Sequence, residues 1–324
     1  MVNTVQACRA PSRVAMLKAA AAACLLLAGA CMAAQAQPAT PLGSAGLFFD
    51  DFSQPDTTAL QAAGWILRRA PGHPGVPGAL WAPEGLQLLP DDEQPGNRLL
   101  RLQAHTNGTP AGTQQVQLCH ARKLLHGTYA ARLRLANAPT QGQQGDPVIQ
   151  AFYAVAPLQH AYDPKFSEVD WEYLANGGWG SPQPRLYGIS WQTVRIEPWD
   201  AHNSAQELPG RLTGWHTLTM QVQPDAVLMY LDHRLVARHT GRNVPVQPMA
   251  LAFSLWFSPT GLLPPSPSPR VWTLDVDWAF HAQHQLLSPE QVMAEVQRLR
   301  ERGVGRVDAV VGVGVAGVDS PCDM

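Results

Sequence analysis

Short segments in which apolar and polar residues alternate run through most of the chain. Such alternation has the period of a β-strand, and clusters of Gly, Pro and Asn separate the segments as turns would. Many short strands with no long helix between them are typical of an all-β, antiparallel β-sandwich. The pattern predicts strands over residues 127–135, 148–155, 168–174, 187–196, 216–222, 227–231, 249–257 and 271–280.

The last of these strands alternates almost strictly. Trp272, Leu274, Val276, Trp278 and Phe280 are expected on one buried face, and the residues between them on a face that meets solvent.

The segments outside the sandwich have different patterns. Residues 1–36 are typical of a signal peptide, since basic residues precede an apolar run and Ala34-Gln35-Ala36 offers a cleavage site. Lipidation at Cys31 is an alternative end to this leader. We therefore expect a secreted or periplasmic protein, in which residues 37–284 form the sandwich domain.

The C-terminal part begins with a helix signal. Ser288-Pro289-Glu290-Gln291 is a capping box with Pro at the first helical position, which predicts a short helix within residues 285–303, ended by Gly303. Its apolar positions, Val292, Val296 and Leu299, could dock on the sandwich. Residues 304–324, rich in Gly and Val, are predicted to form a flexible tail.

Composition narrows the choice of partner. The chain is 45% hydrophobic and 15% charged, with a formal net charge of −2, which is ordinary for a globular protein. No basic stripe is present, so we expect no nucleic-acid partner, and no later segment could span a membrane. We expect a monomer with an uncharged partner.

Cys119 is expected to be a buried free thiol, with a bridge to Cys322 as the alternative.

One strand concentrates acidic residues. In residues 167–173, Ser-Glu-Val-Asp-Trp-Glu-Tyr, alternation places Glu168, Asp170 and Glu172 on one face and apolar residues on the other. Like charges so close repel one another, and this unfavourable interaction suggests that the three acids have a functional role. Two carboxyls flanking one bond are what glycoside hydrolysis requires, and glutamates about 13 Å apart at Cα could lean together to the roughly 5 Å of a retaining enzyme. A solvated acidic face is the alternative.

These acids resemble the Glu-x-Asp-x-Glu signature of glycoside hydrolase family 16, in its form without an inserted residue. Further likeness lies in residues 127–132, 151–153, 214–217, 230–236, 254–256 and 276–278. The resemblance implies a concanavalin-like jelly roll in which Glu168 is the nucleophile, Asp170 its helper and Glu172 the acid/base. Ala130, Ser254 and His233 depart from the family pattern, which affects sugar subsites rather than the acids.

Substrate contacts are expected from aromatic residues. The chain has 10 tryptophans, and sugar rings stack well on indole. Trp179, in a Gly-rich loop after the acidic strand, Trp191 and Trp256 are candidate subsites, with core packing as the alternative for each. Arg132, on the polar side of its strand, is a candidate sugar contact or a plain surface residue.

No spacing of His or Cys suggests a catalytic metal, and no cofactor is required. The resemblance allows a structural calcium ion held partly by backbone oxygens near Asp277. The leading hypothesis is a secreted, endo-acting, retaining hydrolase of a β-linked polysaccharide, either a β-glucan or a galactan. A non-catalytic lectin-like module and a transglycosylase using the same site are the alternatives.

Overall fold

The computed structural model describes Gly43, residues 45–312 and Cys322. The predicted signal peptide, with its alternative at Cys31, lies outside the described residues. The strands are β1 Leu47–Asp50, β2 Ile66–Leu67, β3 Leu80–Trp81, β4 Leu86–Pro90, β5 Arg98–Thr106, β6 Thr113–Cys119, β7 Gly127–Leu135, β8 Val148–Val155, β9 Glu168–Leu174, β10 Arg185–Arg195, β11 Asp200–Pro209, β12 Trp215–Val222, β13 Ala226–Leu231, β14 Arg234–Thr240, β15 Ala250–Phe257, β16 Arg270–Gln283 and β17 Arg306–Asp308; the helices are α1 Thr57–Ala62 and α2 Pro289–Glu301.

The strands form two antiparallel layers, as the alternation predicts. The cleft sheet has the order β6-β15-β8-β9-β10-β11, and the back sheet has the order β4-β5-β16-β7-β12-β13-β14, with β1 paired to one end of β16. Between them lies one large apolar core, to which Trp171, Phe253 and Trp272 contribute fully buried rings. The chain is therefore a β-jelly roll, and the predicted fold class is confirmed.

The long strand β16 does not alternate strictly. Its register against β7 shifts between Val276 and Trp278, so Asp277 is an extra residue and the side chains beyond it change faces. Trp278 and Phe280 consequently leave the central core and pack on the outer surface of the back sheet. The prediction that they share a face with Val276 is wrong, because a bulge inverts the parity.

Helix α2 covers this displaced apolar surface. Its Ser288 cap and Gln291 form the predicted capping box, and the helix ends at Glu301. Val292, Val296 and Leu299 are buried against Trp278 and Phe280 on the outer face of the back sheet. The helix therefore buries side chains that would otherwise expose large apolar rings.

The segment after α2 is not loose throughout, contrary to prediction. Arg306–Asp308 adds strand β17 beside β1, with Phe48 opposite Asp308. Cys322 forms a disulfide with Cys119 at the end of β6, so the interpretation of Cys119 as a free thiol is wrong. In the part of the chain that the structure describes, no helix is long and apolar enough to cross a membrane.

Candidate active site

The three predicted acids lie on one face of β9, in the middle of the cleft sheet. The strand pairs with β8 and β10 without a register shift, so alternation is kept along its whole length. Val169, Trp171 and Tyr173 enter the central core. Since that apolar face is fixed by burial, Glu168, Asp170 and Glu172 must project from the opposite face.

A cleft with a volume of about 940 Å³ lies over these acids. Its walls come from the cleft sheet itself, the loop before β3, the turn after β9, the turn between β10 and β11 and the segment after β15. The lining includes Glu168, Asp170, Glu172, Tyr153, Ser254, Trp256, Trp179, Tyr187, Trp191, His73, Glu197 and Trp199. The volume is in the range of ligand-binding clefts, and its polar groups converge on the acids.

Burial and mutual repulsion shift the titration of all three acids. Their exposed fractions are only 5% for Glu168, 3% for Asp170 and 8% for Glu172. Burial raises the pKa of each, and the Asp170 charge raises the pKa values of both glutamates further. For Asp170 burial outweighs a lowering hydrogen bond from Trp191 and raises the pKa to about 7. Protons are therefore held in this group of carboxyls at pH values where ordinary ones are ionised.

The hydrogen bonding of the acids is incomplete. Trp191 donates from Nε1 to Oδ2 of Asp170 at 3.0 Å. Among the described residues, Oε2 of Glu168 and Oδ1 of Asp170 are buried and have no hydrogen-bond partner. Buried polar atoms without partners cost free energy, and they are concentrated at sites that bind ligands or carry out chemistry.

Tyr153 is a cleft residue that sequence reasoning did not identify. It lies opposite Asp170 on β8, and its hydroxyl accepts a hydrogen bond from Nε2 of Gln117. Oε1 of Gln117 accepts from Arg68 at 2.7 Å. Burial, and then the charge of Glu168, raises the pKa of Tyr153, so its hydroxyl stays protonated beside the acids. The sequence held one signal for it: the alternation of residues along β8 sets the face on which Tyr153 lies, and its cross-strand neighbour is an acid.

The structure brings the three predicted tryptophans to this cleft. Trp179 lies in the turn after β9, is 48% exposed and has its ring centroid 5.0 Å from that of Tyr187. Trp191 and Trp256 are nearly buried, but both line the cleft. Exposed aromatic faces in a cleft can stack on sugar rings, whereas the two buried rings present only an edge or part of a face.

Arg132 does not join this group, which corrects the expected sugar contact. It lies on β7 in the back sheet, where its Nη1 donates to Oδ2 of Asp277 at 2.7 Å. Its guanidinium carbon also lies 4.8 Å from the centre of the Trp215 ring. Its strand parity does put it on a polar face, but that face belongs to the sheet opposite the cleft.

The carboxylate of Asp277 itself is not available to the calcium ion that the family resemblance allows. Both carboxylate oxygens already accept hydrogen bonds, from Asn97 at 2.9 Å, Arg132 at 2.7 Å and Arg300 at 2.6 Å. Two guanidinium cations on one carboxylate occupy the lone pairs that a cation would need and repel it. Within the described part of the chain, no group of three or more His, Cys, Asp or Glu side chains is arranged to hold a metal ion.

No family model matches the sequence, and no curated protein is significantly similar to it. Solved structures are similar in fold. A β-glucanase from Bacillus licheniformis aligns with a TM-score of 0.52 and 14% identity, over 75% of this chain and 100% of its own. A lichenase, a β-1,3-1,4-glucanase from a mouse hindgut metagenome, aligns at 0.50 and 16%, over 72% and 98%.

A third solved structure carries a family name. It is a glycoside hydrolase family 16 endo-glucanase from Bacteroides ovatus, with a TM-score of 0.51 and 13% identity, over 72% of this chain and 98% of its own. Identities this low speak for the fold and not for the activity. The chain therefore has the β-jelly-roll fold of glycoside hydrolase family 16.

Proposed function

We propose that this protein is a retaining glycoside hydrolase that cleaves neutral β-linked glucan chains at internal linkages. One observation carries the proposal: Glu168, Asp170 and Glu172 converge, nearly buried, on the floor of a cleft of about 940 Å³. A solvated acidic face, the alternative from sequence, would leave these side chains exposed. Two carboxyls beside one bond are what the double-displacement mechanism needs.

In the first step, the Glu168 carboxylate attacks the anomeric carbon while the glycosidic C–O bond breaks. The leaving oxygen takes the proton of Glu172, and a glycosyl ester of Glu168 forms. Burial and then the charge of Asp170 raise the pKa of Glu172, which suits a group that must hold a proton near neutral pH. The pKa of Glu168 is raised as well, so the assignment of the two roles rests on the family resemblance.

In the second step, the Glu172 carboxylate takes a proton from water, and the resulting hydroxide oxygen attacks the anomeric carbon. The ester bond breaks, which releases Glu168 as a carboxylate and the sugar with its original configuration. Asp170 lies between the glutamates on the same face of β9, where its charge state sets how readily either one ionises.

The cleft lining favours a neutral glycan. Among the described residues that line the cleft, none is Lys or Arg, whereas four are Asp or Glu. Sulfated or carboxylated polysaccharides require cationic partners for their anionic groups, and here they would meet repulsion. Trp179 and Tyr187 instead present aromatic surface to uncharged sugar rings. Several of the similar folds are named β-glucanases, which makes a β-glucan the first substrate to test.

We also propose that the protein is exported. The Cys119–Cys322 disulfide supports this, since such bonds persist in oxidising compartments and are rare in the cytosol. The basic and apolar leader over residues 1–36 agrees with it.

The test compares acid variants on natural and activated substrates. Glu172→Ala should lose natural glucan hydrolysis by at least about 10³-fold but keep the first step on an aryl glycoside, whose leaving group needs no proton. Glu168→Ala should lose both, and NMR of wild-type products should show the β-anomer first. Glu207→Gln is the control, because Glu207 is an exposed acid on β11, the edge strand of the same sheet, and is not among the residues that line the cleft.

Three outcomes would change the proposal. Activity that survives Glu168→Ala would exclude its role as nucleophile. A wild-type protein that binds glucans but releases no reducing ends would favour the lectin alternative. Products longer than the substrate would indicate a transglycosylase, in which a sugar hydroxyl replaces water in the second step.

A further inference from the structure

Two loops from opposite edges of the cleft sheet meet at the cleft, which both of them line. The first, residues 72–79, follows β2 and precedes β3 beside β6, and the second is the turn of residues 196–199 between β10 and β11. His73 of the first loop stacks on Trp199 of the second, with ring centroids 5.3 Å apart and an angle of 26° between planes. Both residues line the cavity that contains the acids.

The loop that carries His73 is anchored at several points. Trp81 donates from Nε1 to the carbonyl of Gly72 at 3.2 Å, and Arg68 donates from Nη2 to the carbonyl of His73 at 3.0 Å. The backbone N–H of Val76 donates to Oε1 of Gln115 at 3.1 Å. These bonds hold the loop against β6 and the end of β3, so its position at the cleft is defined by the fold.

The turn that carries Trp199 is connected to the acids. Trp191 meets Trp199 edge to face, with centroids 6.1 Å apart and an angle of 82° between planes. Trp191 in turn donates a hydrogen bond to Asp170. A continuous row of side chains, His73, Trp199, Trp191 and Asp170, therefore runs from one loop across the cleft to the middle of β9.

We propose that His73 and Trp199 form a bridge that determines substrate length, a role that rests on the proposed glycosidase activity. Short gluco-oligosaccharides enter the cleft beneath the bridge, whereas an internal linkage of a long glucan reaches the acids only when the contact opens. Attack at internal linkages is then slower on polymers than on oligosaccharides. Burial, and then the charge of Arg68, lowers the pKa of His73 to about 4, so the stacked ring is uncharged at neutral pH.

The experiment measures kcat/KM for a long, soluble β-1,3-1,4-glucan and for its tetrasaccharide. His73→Ala removes the contact but leaves the Trp199 surface in place. We expect it to raise the ratio of polymer to tetrasaccharide about three- to tenfold, the range expected for one stacked aromatic pair, through a higher polymer value. Trp199→Ala should raise the same ratio even if it weakens sugar binding overall.

Trp179→Ala is the matched control. Trp179 is an equally exposed tryptophan of the cleft, but it packs on Tyr187 and is not part of the bridge. It should lower both kcat/KM values together and leave their ratio unchanged. A ratio within twofold of wild type in both bridge variants, with the tetrasaccharide still hydrolysed, would overturn the bridge and leave the glycosidase intact.

Binding separates this result from failure of the proposed function. The affinities of the Glu168→Gln protein for polymer and tetrasaccharide, measured by calorimetry with and without His73→Ala, should show the same change in ratio. If wild type binds both glycans but cuts neither, the hydrolase proposal fails, and the affinity ratio still decides for or against the bridge. A protein that binds neither glycan overturns both.

Discussion

The indole N–H of Trp191 donates to Oδ2 of Asp170 at 3.0 Å, across the pairing of β10 with β9. The bond stabilises the ionised carboxylate and opposes the effect of burial, which raises the pKa of Asp170 to about 7. Trp191, predicted as a sugar subsite or a core residue, is therefore also positioned to tune the central acid. Its exposed fraction of 9% agrees with this role, since little of its face is free for stacking.

Trp191→Phe keeps an aromatic ring but removes this donor. Without it, the pKa of Asp170 should rise further, and the carboxylate should ionise only at higher pH. We expect the acidic limb of the kcat/KM profile to move up by about one to two pH units, since a hydrogen bond to a charged group is worth about 1.5–3 kcal/mol. Activity at pH 6 should fall about tenfold or more.

Trp256→Phe is the control for this change, because Trp256 lines the cleft but packs against Trp81, Ile149 and Leu174. Its pH profile should keep the wild-type limbs. An unmoved acidic limb in Trp191→Phe would show that the indole N–H does not tune Asp170.

Asp170→Asn should stabilise the fold at neutral pH. The folded-state pKa of Asp170, about 7, lies above its ordinary value of 3.8, so the unfolded chain ionises more readily as pH rises between these values. The carboxyl of Asp170 therefore lowers the free energy of unfolding by an amount that reaches the order of 2–4 kcal/mol near pH 7. Urea unfolding should show the variant more stable than wild type at pH 7, with the gain shrinking towards pH 4. An equal gain at both pH values would contradict this.

The site could be read from sequence only where strand parity was unambiguous. The acids follow from alternation on β9, since Val169, Trp171 and Tyr173 must enter the core. Arg132 also lies on the polar face that alternation predicts for its strand. Sequence alone, however, does not say which of the two sheets that strand joins. His73 was inaccessible to this reasoning, because its position depends on contacts with Trp199, more than a hundred residues away.

The fold shows the same limit. Strands β7, β8 and β9 have the predicted bounds, because each alternates clearly and ends at turn residues. Strand β11 was not predicted: it is a largely exposed edge strand, so no buried face imposes alternation. The bulge at Asp277 also leaves no composition signal, yet it redirects Trp278 and creates the surface on which α2 docks.

The Cys119–Cys322 disulfide should contribute substantially to stability. It joins residues separated by 203 positions. Closing so long a loop lowers the conformational entropy of the unfolded chain, which stabilises the folded protein by about 3–5 kcal/mol. Cys322→Ser should lower the free energy of unfolding by that amount in urea melts. Dithiothreitol should destabilise the wild type to the same level and leave Cys322→Ser unchanged; a further loss in the variant would point to a second redox-sensitive site.

The ion pair between Arg300 and Asp277 should attach α2 to the back sheet in a pH-dependent way. Burial alone would raise the pKa of Asp277, but the hydrogen bond and charge of Arg300, together with the hydrogen bonds of Asn97 and Arg132, outweigh burial and lower the pKa below 3.8. The stability from this pair is therefore complete above pH 3.8 and is lost as pH falls through the folded-state value. Arg300→Met should cost about 1–3 kcal/mol at pH 7, since the buried carboxylate keeps only Arg132 and Asn97.

Measurement of unfolding at several pH values tests this attachment. The difference between Arg300→Met and wild type should narrow as pH falls below 3.8 and through the lowered folded-state pKa of Asp277, where the carboxyl becomes protonated in wild type as well. Arg302→Met is the control, because Arg302 is exposed at the end of the same helix, and its effect should stay within about 0.5 kcal/mol. A pH-independent loss in Arg300→Met would assign its role to packing of the side-chain stem rather than to charge.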